Sequence, residues 1–159
     1  MKDKIIRILK LERNPTIKFE ILEKFYENVS TDEDINLIIE ILKNDPDPCV
    51  RHEAAAQLFR IEEKKSGLLV NLKDVAINAL FDKAYNDISI VVRHESIEAL
   101  GYLVRVEHLG QLENLTHSDD LDIKSTAIIA YSAAKKRIDN NLTAKELGEY
   151  LISSWEVTE

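Results

Sequence analysis

Glycine and proline are scarce in this 159-residue chain, at four and three residues. Sheet proteins with many tight turns draw on both, so that class is disfavoured. Cys49 is the one cysteine. It cannot form an internal disulfide framework, and it fits a reducing compartment. No stretch approaches the roughly 20 apolar residues of a membrane span. The opening segment, MKDKIIRILKLERN, lacks the apolar run of a signal peptide. These absences predict a cytoplasmic chain with no membrane partner. Positive charge is also short: 21 Lys and Arg stand against 29 Asp and Glu, a formal net charge of −8. Binding to nucleic acid by counterion release needs a basic stripe, so no nucleic-acid partner is expected. An acidic surface serves solubility or a basic protein partner. No Gly-rich phosphate loop, GKS or GKT, Ser-x-x-Lys or Gly-x-Ser-x-Gly is present.

What the chain has is apolar residues at 45% and charged residues at 31%, the balance of one globular domain over residues 1–159. That domain is internally repeated. When Ile17, Val50, Val92 and Ile123 are aligned, the next residue is always basic: Lys18, Arg51, Arg93 and Lys124. Four positions on stand Ile21, Ala54, Ser96 and Ala127, and eight on stand Phe25, Leu58, Leu100 and Tyr131. These spacings follow one face of a helix. Three positions before each anchor come Asn14, Asp47, Ser89 and Asp120, all N-cap residue types. Pro15 and Pro48 fit the first helical position.

Each of these helices follows another apolar-periodic segment. First helices are predicted near 2–12, 32–44, 70–85 and 107–117, and second helices near 15–28, 48–62, 90–104 and 121–137. The anchors are 33, 42 and 31 residues apart. The long middle interval marks an insertion around EEKKSGLLVNLKDVAINALFDKAYND, expected to lengthen a helix and the loop before it. The fold class that follows is all-α. It is an α-solenoid of four HEAT-like helical hairpins (about 1–29, 30–64, 68–105 and 106–137) with a C-terminal capping helix at about 143–156. Thr143 and Glu146 form a capping-box pattern for that last helix. Leu147, Tyr150, Leu151 and Trp155 line one of its faces, either as an end cap or as a dimer contact.

The pattern that carries chemistry is Arg-His-Glu, used twice, at Arg51-His52-Glu53 and Arg93-His94-Glu95. Two of the four histidines thus fall at one phase of neighbouring repeats, each followed by Glu. Imidazole and carboxylate are ligands that suit iron and similar metals. Stacked helices lie about 8–10 Å apart, so His52 and His94 are expected to converge on one point and Glu53 and Glu95 on another. Neighbours in sequence diverge by about 100° around a helix, so each motif chelates poorly alone. The candidate metal ligands are His52, Glu53, His94 and Glu95. Two ions shared with a second subunit would use them better than one ion held by this chain.

The strings VRHEAAAQL and VRHESIEALG, with IKSTAIIAYSAAKKR in the fourth repeat, resemble one half of deoxyhypusine hydroxylase, a HEAT-repeat di-iron monooxygenase. The resemblance spans the chain. That family has two similar four-repeat halves, with His-Glu motifs in the second and third repeats of each half. The motifs occupy the same repeats here, while Phe19-Glu20 and Ser125-Thr126 stand at that phase in repeats one and four. The resemblance implies iron as cofactor, His52, Glu53, His94 and Glu95 as its ligands, and, for an enzyme, monooxygenase chemistry. One half of the motif set implies a homodimer whose two-fold axis restores four motifs. VR-x-x-A-x-x-ALG patterns are shared broadly by phycobiliprotein-lyase-like HEAT repeats, so the paired His-Glu is the specific part.

A second functional class fits the same residues: a metal-free HEAT scaffold that binds a protein partner on its concave face. Arg51 and Arg93 have basic counterparts in every repeat and read as structural, pairing with acids of a neighbouring repeat. His108 and His117 lie out of phase and read as surface residues. Cys49 reads as a small packing residue. Asp45, Asp47, Asp119 and Asp120 read as capping and loop residues, without the spacing or glycine turn of a calcium loop.

Overall fold

The computed structural model describes residues 2–65 and 67–156, with the backbone alone over 154–156. Among the described residues the chain is all-helical and contains no strand. The helices are α1 (Lys2–Leu11), α2 (Pro15–Phe25), α3 (Asp32–Asn44), α4 (Pro48–Lys64), α5 (Lys73–Asn86), α6 (Ile90–Leu103), α7 (Leu109–Leu115), α8 (Leu121–Asp139) and α9 (Ala144–Glu156). Short 3-10 turns follow α2 at Tyr26–Asn28 and precede α7 at Val106–His108. None of the described helices is long and apolar enough to cross a membrane.

Cap chemistry sets where the second helices begin. The side chains of Asn14, Asp47 and Asp120 each accept two backbone N–H groups of the following turn, which the helix itself leaves unsatisfied. Ser89 holds the same place but makes no side-chain cap. There the Ser89 N–H donates to Asp87 Oδ1 at 2.9 Å instead. The insertion is taken up by the 17-residue α4 and by a turn-rich connection that precedes α5. In the fourth unit, the expected first helix of 107–117 is shorter, because the 3-10 turn occupies its start.

The anchors at Val50, Val92 and Ile123 are fully buried, as are Ala54, Ser96 and Ala127 four residues on. Ile17, at the first end of the stack, is half-exposed. The first helices α1, α3, α5 and α7 pack on the second helices α2, α4, α6 and α8 that follow them, and the second helices pack on one another in chain order. One apolar cluster runs from Leu9 to Ala134. A fully buried Leu or Ile of this kind stabilises by about 1.5–3 kcal/mol.

Ion pairs stitch the second helices to the turns of the next unit. Lys18 of α2 pairs with Asp45, before α4. Arg51 of α4 grips Asp87, before α6, through Nε and Nη2 at 2.8 and 2.7 Å. Arg93 departs from this series and donates to the Ala84 carbonyl at the end of α5, at 3.0 Å. The last helix begins with the Thr143–Glu146 capping box. It packs on α8 and also reaches α4 and α6, with Leu147 fully buried. Its apolar face as read from sequence ends at Trp155, whose side chain lies outside the described residues.

Candidate metal centre

The phase that buries Val50, Ala54 and Leu58 leaves His52 at the edge of α4, about a third exposed. His94 takes the same place on α6. Each Glu, rotated by about 100° from its own His, faces the preceding second helix. Glu95 of α6 therefore meets His52 of α4, with Nε2 and Oε2 3.1 Å apart. Both histidines thus reach Glu95, and it is Glu53 that departs from the expected convergence of Glu on Glu.

Glu53 makes the equivalent turn on α4, but α2 carries Phe19 where a histidine would be needed. The buried Glu53 carboxylate is taken up by Arg60 and accepts from Gln57 Nε2 at 3.2 Å. Gln57 also donates to the Leu22 carbonyl of α2. Glu53 thus stands outside the donor group. His94 lacks a carboxylate from α8, where Thr126 hydrogen-bonds its own helix at Asp122. It lies instead 3.8 Å from Glu98, one turn along α6.

The resulting group is compact. One donor atom each from His94, Glu95 and Glu98 lie within 4.8 Å of one another, and His52 joins through Glu95. The hydrogen bond to Glu95 raises the His52 pKa above its ordinary 6.5; burial opposes this, and the Glu95, Glu53 and Glu98 charges reinforce it. Burial raises Glu98 above 4.5, with His94 working against the rise and Glu95 adding to it. Two imidazoles and two carboxylates from adjacent helices are a donor set that suits iron and related divalent metals. The residues present fit such an ion.

Against models of known protein families, this sequence matches none. A comparison with curated proteins also returns no match.

Glu98 is the member of the group that sequence reading missed. Its signal was the i, i+4 spacing from His94, which puts the two on one face. His108 accepts the Arg105 N–H on Nδ1 at 3.2 Å and lies near Phe81, and His117 is exposed. Neither belongs to the group. Cys49 is exposed and is not the packing residue expected. His94, Glu95 and Glu98 also line a cleft of about 240 Å³, together with Phe59, Tyr102, Ile129 and Ala133.

Proposed function

We propose that this chain is an α-solenoid of four HEAT-like hairpins closed by α9, and that it binds a divalent transition metal, iron foremost. The ligands in this reading are His52, His94, Glu95 and Glu98. The carrying observation is the His52–Glu95 approach between α4 and α6, with His94 and Glu98 beside it. Iron bound there would supply oxygen-binding and redox chemistry. The chain's own part is to hold the donors on two packed helices, with Arg51 and Asp87 fixing the register of α4 against α6. The likeness to one half of a di-iron monooxygenase extends the reading to two ions shared across a homodimer in the cytoplasm.

The test is metal content after loading and desalting. Wild type should retain iron stoichiometrically, while His94→Ala and Glu95→Ala should lose it with helicity unchanged. Glu53→Ala should keep it, because Arg60 and Gln57 occupy that carboxylate. Metal retained by both His94→Ala and Glu95→Ala, or absent from loaded wild type, overturns the reading.

The scaffold alternative has one observation in its favour. The His52–Glu95 hydrogen bond satisfies both side chains without an ion, leaving a face with exposed Val91 and Ile129 for a protein partner.

A further inference from the structure

The cleft lined by His94, Glu95 and Glu98 brings carboxylates and aromatic rings together, and no lysine or arginine is among the described residues that line it. Its two carboxylates differ in what engages them. Glu95 is taken by His52. Glu98 is half-exposed and accepts no hydrogen bond among the described residues; His94 alone comes within ion-pair reach, at 3.8 Å. Phe59 of α4 and Tyr102 of α6 line the same cleft, their ring centroids 4.4 Å apart and their planes inclined at 55°. Burial raises the Tyr102 hydroxyl above its ordinary 10.0, and the Glu63 and Glu98 charges add to the rise. The field at that ring is negative.

We propose that this cleft binds a small quaternary ammonium ion, its methyl groups against the Phe59 and Tyr102 rings and its charge beside Glu98. Charge sets the sign, because carboxylates without a lysine or arginine among them attract a cation. Hydrogen-bonding capacity sets the kind of cation. A primary ammonium brings three N–H donors, each of which needs an acceptor once it leaves water, and Glu98 is the one lining carboxylate not already hydrogen-bonded. A quaternary ammonium has no donor to satisfy. Its methyl groups pack on apolar side chains such as Ile129, while its charge gains from aromatic faces and a carboxylate. Size agrees: apolar cavities of about 150 Å³ accept benzene, and this cleft of about 240 Å³ has room for a trimethylammonium group with a short substituent. The inference stands on the cleft, its rings and Glu98, independently of the metal reading. A metal ion on Glu98 would compete for the same carboxylate.

The test is therefore run on the full chain stripped of metal with a chelator, so that its failure and that of the metal reading are separate results. Choline is titrated by calorimetry against two comparisons. In 3,3-dimethylbutan-1-ol a carbon replaces the charged nitrogen at the same shape, and in ethanolamine N–H groups replace the methyls. Wild type should bind choline saturably at one site and more tightly than either comparison. Glu98→Gln changes the charge of a half-exposed side chain and leaves the fold testable. It should weaken choline by about fivefold or more and the neutral alcohol by less than about twofold, as expected for the loss of a partly exposed ion pair. Tyr102→Leu removes a ring and keeps apolar bulk. It should weaken choline by about threefold or more, the scale of a cation–π contact, with helicity checked by circular dichroism. No saturable choline binding in wild type, either comparison binding as tightly as choline, or undiminished choline binding in either folded variant overturns the proposal.

Discussion

A single hydroxyl separates the third repeat from its neighbours. Ala54, Ser96 and Ala127 hold one phase and are all fully buried, but Ser96 Oγ has no hydrogen-bond partner among the described residues. Burying an unpaired hydroxyl costs about 1–3 kcal/mol. Ser96→Ala removes that cost, restores the residue of the adjacent repeats and raises helix propensity. We expect a gain of about 1 kcal/mol in urea unfolding at unchanged m-value; a loss of stability would mean that the hydroxyl is satisfied and needed. Residue identity was fully legible in the chain here, but hydrogen-bond satisfaction was not, because it depends on what packs opposite. The same gap separates Glu53 from Glu95. Both follow a histidine in the same string, yet one is taken by Arg60 and the other meets His52. What decides is the residue that the preceding helix offers: Phe19 in one case and His52 in the other. Sequence reading treated the two motifs as equivalent because it aligned them with each other and not with their neighbours.

Between elements, the packing of α6 on α8 and of α9 on α4 turns on two glycines with opposite expectations. A Cβ on Gly101 would lie 3.1 to 3.3 Å from the backbone and Cβ of Ala130. Gly101→Ala gains about 1 kcal/mol of helix propensity but overpacks two helix backbones, at a cost of about 1–3 kcal/mol; its melting temperature should fall. A Cβ on Gly148 would meet Glu63 Oε1 at 2.7 Å, the far end of a flexible side chain that can swing aside. Gly148→Ala should therefore hold or raise the melting temperature, and a fall as large as that of Gly101→Ala would refute this contrast. Helix boundaries and the repeat phase were legible because caps and apolar spacing act locally. The crossing of α9 onto α4 and α6 was not, because nothing in its own apolar stripe names the helices it covers. The ion-pair series was half legible: pairing of Arg51 with an acid of the next unit was expected, but its burial was not. Surface pairs contribute about 0–1 kcal/mol, whereas removing one partner of a buried pair costs about 3–5 kcal/mol. Burial alone would raise the Asp87 carboxyl, but hydrogen bonds from Arg51 and the Ser89 N–H outweigh it and hold the group below its ordinary 3.8. A carboxyl whose folded pKa is depressed stabilises above its unfolded value of about 3.9 and loses that contribution as pH falls through the folded value. Asp87→Asn should lower the melting temperature at neutral pH, and the gap to wild type should close in acid. A constant gap down to about pH 2 would detach Asp87 from the acid limb.

At the scale of the whole molecule, the donor count decides between two assemblies. His52, His94, Glu95 and Glu98 give four side chains from one chain, enough for a single ion with open positions. The proposed likeness to half of a di-iron enzyme would call for two ions held between two copies. Mass action separates the two. An ion that binds only the folded state raises stability by RT ln(1 + [L]/Kd), about 2.7 kcal/mol at a hundredfold excess over Kd. If one chain holds its ion alone, that rise depends on metal concentration and is blind to protein concentration. If a second copy supplies ligands, the rise also grows with protein concentration, because each bound pair requires association. The dimer reading predicts a melting temperature in the presence of iron that climbs with protein concentration over about a hundredfold range, with no such climb under chelator. It also predicts a mass by light scattering near twice 18.2 kDa. His52→Ala should flatten the iron series, while the lost hydrogen bond to Glu95 lowers the chelated melting temperature by the same amount at every protein concentration. An iron-dependent rise that is identical at every protein concentration, together with a monomeric mass, would leave the ion to one chain and remove the two-fold axis from the site.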